Sequence, residues 1–226
     1  MLLRERKVIV TGGPTREWLD PIRFISNPSS GKMGVALADE SLRRAREAVF
    51  IYGPIDAALV SNKRFRAVPV DTTEEMLAAV RKEIEENAVV IMAAAPADFA
   101  PVKKSGQKIK KTDRLFSIEF TKTPDILKEL KEMRSKELIR NLFTVGFAAE
   151  TENVEKYALN KLTEKHLDMI CLNDVSQKGA GFGTDTNIIT IFVKDGSRLE
   201  LPMMSKQEAA ARILDEIENR LPRYLI

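Results

Sequence analysis

The chain alternates short apolar runs with longer segments in which apolar residues recur every three or four positions. Runs of the first kind are typical of buried strands, and segments of the second kind are typical of amphipathic helices. The predicted strands are residues 7–11, 48–52, 66–70, 88–95, 143–149 and 168–173. The predicted helices are residues 32–46, 71–87, 124–133 and 153–166. This alternation predicts an α/β fold with a doubly wound, mostly parallel, Rossmann-like sheet that carries helices on both faces.

The C-terminal part of the chain follows a different pattern. Residues 187–193 and 198–202 flank a Lys-Asp-Gly-Ser turn and predict a β-hairpin. A final helix over residues 205–221 is predicted to begin at Ser205, with Glu208 completing its cap. We find no internal repeat, and we expect residues 1–226 to form one domain.

Composition excludes several classes of function. A net charge of +3 is too small to predict nucleic-acid or membrane binding, and no apolar run approaches the ~18 residues of a membrane span. The lone histidine, His166, rules out multi-histidine metal sites and is expected to lie at a helix end. The lone cysteine, Cys171, lies in an apolar run and is expected to be a buried structural thiol in a reducing, cytoplasmic protein.

One long connection interrupts the alternation and predicts a basic flap over about residues 99–122. Six basic residues and one aspartate lie between positions 103 and 115 of this segment. Long loops without regular structure are usually functional lids or disordered segments. No aromatic residue lies between Lys103 and Arg114, although single-stranded nucleic-acid sites use aromatic side chains for stacking. The basic residues are therefore predicted to meet a smaller anion.

Two familiar nucleotide motifs are absent. A dinucleotide-binding fingerprint requires glycines after the first strand, but Pro14, Arg16 and Trp18 occupy that segment. Tyr157 and Lys161 do match the Tyr-x-x-x-Lys pair of short-chain oxidoreductases, and a hydride-transfer function stays open as an alternative. A Walker A loop would place Ser or Thr after the lysine of Gly-Lys, but Met33 stands there.

Ser29, Ser30 and Gly31 immediately precede a predicted helix. The first N–H groups of a helix have no partner within it and favour an anion. This segment is therefore a candidate phosphate site. The alternative is that Ser29 or Ser30 caps the helix.

Four segments together resemble the phosphopantothenate–cysteine ligase domain, which is usually fused behind a flavin-dependent decarboxylase. They are TGGPTREWLDPIRFISNPSSGKMG, AAAPADFAPVKKSGQKIKK, VGFAAET and LNDVS. The resemblance runs from about Lys7 to Leu221 and implies ligation of 4′-phosphopantothenate to cysteine through an acyl-cytidylate. It implies CTP as co-substrate with Mg²⁺, release of CMP and pyrophosphate, and a homodimer.

The resemblance also implies a role for particular residues. Asn27 would contact the acyl intermediate, and Lys108 on the flap would meet the triphosphate. The substrate and phosphate site would comprise Ser29, Ser30, Gly31 and Lys32. Nucleotide binding would involve Met92, Ala93, Ala94, Asp98, Lys108, Pro124, Asp125, Ile126, Leu127, Phe147, Lys161 and Lys165. Two further alternatives stay open, an ATP-using ligase and a nucleotide-binding regulatory or scaffold subunit without turnover.

Overall fold

The computed structural model describes residues 2–111, 117–150, 153–174 and 183–221, without the side chains of residues 150 and 174. In chain order, the strands are β1 (Lys7–Gly12), β2 (Arg16–Trp18), β3 (Phe24–Ser26), β4 (Glu47–Tyr52), β5 (Arg66–Pro69), β6 (Val89–Met92), β7 (Phe99–Pro101), β8 (Phe120–Lys122), β9 (Phe143–Glu150), β10 (Met169–Asp174), β11 (Thr186–Val193) and β12 (Arg198–Ser205). The helices are α1 (Lys32–Arg44), α2 (Thr73–Glu83), α3 (Ile126–Ser135), α4 (Val154–Glu164) and α5 (Lys206–Arg220).

Eight strands form the central sheet, in the order β12-β11-β10-β9-β6-β1-β4-β5. The six strands from β10 to β5 are parallel, and β11 and β12 extend the sheet as an antiparallel hairpin. All six residues of β1 are buried, as expected for a central strand covered on both faces. The predicted doubly wound sheet and the predicted C-terminal hairpin and helix are confirmed.

Helices cover both faces of the sheet, and each face has its own hydrophobic core. Buried residues of α1 and α5 pack with alternate strand residues such as Val8 and Phe50 on one face. Buried residues of α2, α3 and α4 pack with Ile9 and Val49 on the other face. The alternation follows from the period of two along each strand. Ser205 and Glu208 form the predicted cap of α5.

The structure corrects the end of the fourth predicted strand. We predicted a strand over residues 88–95, but β6 ends at Met92 because the backbone then turns toward β1. The N–H of Ala94 donates to Oγ1 of Thr11 at 3.2 Å, and the N–H of Ala95 donates to the carbonyl of Gly13 at 2.9 Å. These contacts fix the segment after β6 at the carboxyl ends of the strands.

Two small sheets, which the sequence patterns do not predict, lie beside each other at the edge of the crevice. Strands β2 and β3 pair as an antiparallel hairpin, and β7 and β8 pair at the base of the predicted flap. The N–H of Ser105 in the flap donates to the carbonyl of Leu19 at 2.9 Å. Of the flap, residues 112–116 lie outside the described residues.

The lone histidine and the lone cysteine lie where the sequence predicts. His166 is exposed and follows the end of α4, where its N–H donates to the carbonyl of Thr163. Cys171 is fully buried, and this burial raises the pKa of its thiol far above its usual range. The helices of the described ranges include none with the length and apolar character needed to traverse a bilayer.

Candidate active site

The crevice at the carboxyl ends of the central strands contains two adjoining cavities. β1 has β4 on one side and β6 on the other, so β1 and β6 form the switch point of the doubly wound sheet. Open α/β sheets bind ligands in the crevice at such a point. The walls of both cavities include the segment that follows β6.

The first cavity has a volume of about 400 Å³ and lies beside the start of α1. The predicted site residues that line it are Asn27, Ser29, Ser30, Gly31, Lys32, Ala93, Ala94, Asp98, Phe147 and Lys161. The predicted substrate and phosphate residues therefore all border one space.

The second cavity has a volume of about 420 Å³ and lies beside the start of α3. The predicted site residues that line it are Met92, Ala94, Asp98, Pro124, Asp125, Ile126, Leu127, Phe147, Lys161 and Lys165. The two cavities share Ala94, Pro96, Asp98, Phe147 and Lys161. All of the predicted site residues except Lys108 thus border this pair of cavities.

The start of α1 carries no side-chain cap. Gly31 is the N-cap residue, with a left-handed φ of 74°, and no side chain of the described residues accepts a hydrogen bond from the first turn. The alternative in which Ser29 or Ser30 caps the helix is therefore wrong. A Cβ on Gly31 would lie 2.7 Å from Cγ2 of Ile55, so this turn requires glycine for both conformation and space. The uncapped N–H groups are suited to bind an anion.

Asn27 bridges the first cavity to the segment after β6. Its Nδ2 donates to the carbonyls of Ala95 and Pro96 at 3.2 and 2.9 Å. The amide therefore uses its donor group to hold the cavity wall. Its Oδ1 accepts no hydrogen bond from another described residue and can accept one from a ligand.

Lys161 and Lys165 lie one turn apart on α4, and each has a partner on a different element. Nζ of Lys161 donates to the carbonyl of Phe147 at 2.8 Å, and Nζ of Lys165 forms an ion pair with Asp125 at 2.5 Å. Burial opposes ionisation of Asp125, but the hydrogen bonds from Lys165 and from the N–H of Lys128, together with the nearby lysine charges, lower its pKa. Repulsion between the two lysines is thus relieved before any ligand binds.

Asp98 and Phe147 lie on the wall that the two cavities share. The carbonyl of Asp98 accepts a hydrogen bond from the N–H of Thr123 at 3.0 Å, which fixes its backbone. Its exposed carboxylate forms no hydrogen bond or ion pair with another described residue. Phe147 is half-buried, and its ring packs against the core. The wall therefore offers one acid and one aromatic ring to a ligand.

Lys108 is exposed and lies on the flap, outside the lining of both cavities. The neighbouring residue, Ile109, connects the flap to the β2–β3 hairpin. Its N–H donates to Oδ2 of Asp20 at 3.0 Å, and its carbonyl accepts a hydrogen bond from Arg23. Burial alone would raise the pKa of Asp20, but hydrogen bonds from Arg23 and from nearby N–H groups hold it well below its usual range. Asp20 therefore keeps the flap attached as a carboxylate.

The lining of the first cavity also includes residues that sequence reasoning did not identify, among them Gly183, Asn187 and Lys206. Lys206 is the first residue of α5, where a cation is disfavoured by the helix dipole. That unfavourable placement is a sequence signal that could have drawn attention to it. Tyr157 is half-exposed and borders neither cavity, so the Tyr-x-x-x-Lys pair does not assemble in the crevice. Within the described ranges, no group of three or more carboxylate, histidine or cysteine side chains is placed to hold a metal ion.

A family model described as "DNA/pantothenate metabolism flavoprotein C-terminal domain" matches residues 3–221. The chain belongs to this family. It is 44% identical over 216 residues to the coenzyme A biosynthesis bifunctional protein CoaBC of Bacillus subtilis (strain 168), covering 95% of this chain and 52% of that protein. Against the same protein of Escherichia coli (strain K12), the identity is 40% over 222 residues, covering 96% and 53%. The chain thus spans about half the length of the curated relatives it matches.

Solved structures of the family share the fold. The crystal structure of the C-terminal domain of CoaBC matches with a TM-score of 0.75 and 37% identity, covering 97% of each chain. The DNA/pantothenate metabolism flavoprotein from Streptococcus pneumoniae matches with a TM-score of 0.73 at 22% identity, covering 95% of this chain and 99% of that one. The latter likeness concerns the fold alone.

Proposed function

We propose that the chain is a phosphopantothenate–cysteine ligase of coenzyme A biosynthesis. It joins 4′-phosphopantothenate to L-cysteine with CTP and releases CMP and pyrophosphate. The observation that supports this most directly is the pair of adjoining cavities, which share Asp98, Phe147 and Lys161. Two linked spaces suit a reaction that must bring a nucleotide and a phosphorylated acid together. The names of the relatives from Bacillus subtilis and Escherichia coli place those proteins in coenzyme A biosynthesis.

In the first step, a carboxylate oxygen of phosphopantothenate forms a bond to the α-phosphorus of CTP. The bond from that phosphorus to the bridging oxygen breaks, and pyrophosphate leaves. Such transfers depend on positioning and on positive charge more than on a protein nucleophile. The uncapped N–H groups of α1, with Lys32 and Lys161, supply that charge beside the shared wall. Lys108 contacts the triphosphate only if the flap or its own side chain moves toward the nucleotide.

In the second step, the cysteine nitrogen attacks the acyl carbon, the bond to the CMP phosphate oxygen breaks, and the nitrogen loses a proton. Asn27 is placed to assist this step through Oδ1, which can accept a hydrogen bond from the attacking amine. Its Nδ2 meanwhile holds the carbonyls of Ala95 and Pro96, so the same side chain fixes the wall. The position of Asn27 therefore supports an acceptor role for its Oδ1 in this step.

The second cavity is proposed to bind the nucleotide base and ribose. Phe147 offers a ring surface, and the start of α3 follows Pro124 and Asp125. CTP is the proposed nucleotide, and an ATP-using form is the alternative that the assay below separates. Mg²⁺ would enter with the triphosphate, held mainly by phosphate oxygens, and it would neutralise their charge. Asp98 carries the carboxylate on the shared wall that is available to contact it.

We further propose that the protein forms a homodimer. The two small sheets and the residues next to their strands expose several large apolar side chains, which is unusual for a surface that faces water alone. These side chains are Ile22, Phe24, Phe99, Val102 and Phe120. Sedimentation equilibrium should give twice the mass of one chain, and a monomer at micromolar concentration would contradict this proposal.

The greater length of the curated relatives supports the proposal that this chain acts together with a flavin-dependent decarboxylase, which is either fused to it or a separate protein. The reaction would take place in the cytoplasm, and a single buried cysteine fits a reducing compartment.

A pyrophosphate-release assay tests the proposed function. The protein is mixed with Mg²⁺, cysteine and either CTP or ATP, with and without phosphopantothenate. We expect release with CTP that requires phosphopantothenate, together with an amide product. Nucleotide binding without release would instead indicate a regulatory subunit, and faster release with ATP would reverse the nucleotide assignment.

A further inference from the structure

Lys206 is a buried lysine that the proposed reaction does not yet use. It is the first residue of α5 and is 6% exposed. Its Nζ donates to the carbonyl of Thr186 at 3.0 Å and to Oδ1 of Asn187 at 2.8 Å. An ammonium has three N–H groups, so one donor has no acceptor among the described residues. Lys206 also lines the first cavity, where a ligand can supply that acceptor.

Three effects disfavour a positive charge at this position. Burial removes water from the ammonium, the helix N-terminus carries a partial positive charge, and Lys32 lies nearby. Burial and the charge of Lys32 lower the pKa of Lys206 to about 8, and Asp185 offsets this only in part. Within the described ranges, no carboxylate lies within ion-pair distance of Lys206. Asp185 instead pairs with Lys32 at 2.6 Å.

A bound anion would offset all three effects. Ser29, Ser30 and Gly31 line the same cavity as Lys32 and Lys206, and α1 begins there without a side-chain cap. The cavity therefore combines uncapped N–H groups on one element with two lysines on two elements. Phosphate groups are bound in proteins by this combination of backbone N–H groups and ammonium groups.

We propose that Lys206, with Lys32 and the uncapped N–H groups of α1, forms a binding site for a phosphate group of a ligand. The phosphate could be the terminal phosphate of the nucleotide or the phosphate ester of the acid substrate. Only this choice of sources rests on the proposed function. The phosphate-binding role itself rests on the contacts of Lys206.

Equilibrium titration of the whole chain tests this site, with inorganic pyrophosphate as the first probe. We expect Lys206→Gln to weaken pyrophosphate binding by about 10- to 100-fold, because a charge-assisted hydrogen bond is lost. Lys206→Arg keeps the charge and should retain most of the affinity. Lys136→Gln, which removes an exposed lysine just after α3, should bind as the unaltered protein does. Binding by Lys206→Gln within about twofold of the unaltered protein would overturn the proposal.

A second pair of titrations identifies the source of the phosphate. CTP is compared with CMP, and phosphopantothenate is compared with pantothenate. If the site takes the terminal nucleotide phosphate, Lys206→Gln should weaken CTP but not CMP. If it takes the substrate phosphate, the variant should weaken phosphopantothenate but not pantothenate. An equal loss for all four ligands would indicate general damage and would overturn the proposal.

The pH dependence of the unaltered protein provides a test that needs no variant to fold. Pyrophosphate only gains negative charge as pH rises, so a fall in affinity must come from the protein. Affinity should fall by about tenfold per pH unit above about 8, as Lys206 loses its proton. The described groups that face Lys206 are Lys32 on α1, Asp185 just before β11, and Thr186 and Asn187 on β11.

An affinity that stays constant between pH 7 and 10 would overturn the proposal. Failure of the proposed function is distinguishable from failure of this site. If the protein binds pyrophosphate through Lys206 but forms no amide, the phosphate site is supported and the ligase function is refuted. If the protein is an active ligase and Lys206→Gln changes nothing, the ligase function is supported and the phosphate site is refuted.

Discussion

Glu83 is predicted to make a large, pH-dependent contribution to stability. Its carboxylate lies 2.8 Å from Nζ of Lys7 on β1 and also pairs with Arg66 on β5, so α2 is joined to two strands. Side chains of Lys7 and Glu83 are 9% exposed, and that of Arg66 is 47% exposed. Hydrogen bonding from Arg66, opposed by burial and helped by Lys7, lowers the pKa of Glu83 from 4.5 to about 2.

The size of this contribution follows from the pKa shift. A shift of one unit corresponds to ~1.4 kcal/mol, so the full shift corresponds to about 3 kcal/mol at neutral pH. Solvent screening at the half-exposed Arg66 reduces this to about 2 kcal/mol. Because the folded-state pKa is the lower one, the stabilisation is complete above pH 4.5. It is lost as pH falls toward about 2.

Urea denaturation of Glu83→Gln at several pH values tests this reasoning. We expect the variant to be about 2 kcal/mol less stable than the unaltered protein at pH 7, with a difference that shrinks below pH 4.5 and vanishes near pH 2. Glu85→Gln is the control, because the side chains of Glu85 and its partner Arg46 are 40% and 51% exposed, so solvent screens this pair more than it screens Glu83. The control should lose no more than about 0.5 kcal/mol. A difference for Glu83→Gln that stays constant from pH 7 to pH 2.5 would refute the reasoning.

Three further predictions concern the site and the turn behind it. Asn27→Asp should continue to release pyrophosphate while amide formation slows by about tenfold or more, because aspartate keeps an acceptor oxygen but cannot donate to the carbonyls of Ala95 and Pro96 that hold it in place. Equal rates in separate assays of the two products would remove Asn27 from the second step. Lys108→Gln should slow pyrophosphate release by about tenfold, and an unchanged rate would remove the flap from the first step. Gly53→Ala should prevent folding or cost more than about 3 kcal/mol, because its Cβ would lie 1.5 Å from the carbonyl oxygen of Pro14. Gly106→Ala, which meets nothing within 4 Å, is the control, and equal melting temperatures for the two variants would contradict the packing seen here.

The features that the sequence predicts well are those with a strong local pattern. The strands of the central sheet have continuous apolar runs, and α1, α2 and α4 have helical periodicity, so their order predicts the doubly wound sheet. The location of the site follows from the same order, because the segments after β1, β6 and β9 must meet at one edge. Strand order alone therefore predicts that Asn27 and Asp98 border the same crevice.

The features that the sequence does not predict depend on contacts between distant residues. Strands β2 and β3 have three residues each, which is too short for a periodic pattern to be detected. The attachment of the flap depends on Asp20 meeting the N–H of Ile109, 89 residues away in the chain. The sequence does not predict the N-cap at Gly31, because two preceding serines are stronger capping residues, and the left-handed φ of Gly31 and its closeness to Ile55 arise only in the folded chain. Lys206 was missed because its burial against Asn187 arises only in the folded chain.

The most direct test of the proposed chemistry follows the oxygen atoms of the substrate carboxylate. The protein is incubated with CTP, Mg²⁺, cysteine and phosphopantothenate that carries a heavy oxygen isotope in its carboxylate. If the acid attacks the α-phosphorus and an acyl-cytidylate forms, one labelled oxygen must appear in the phosphate of the released CMP. Amide product accompanied by unlabelled CMP would contradict activation of the acid as a cytidylate, and absence of the amide would contradict the ligase function itself.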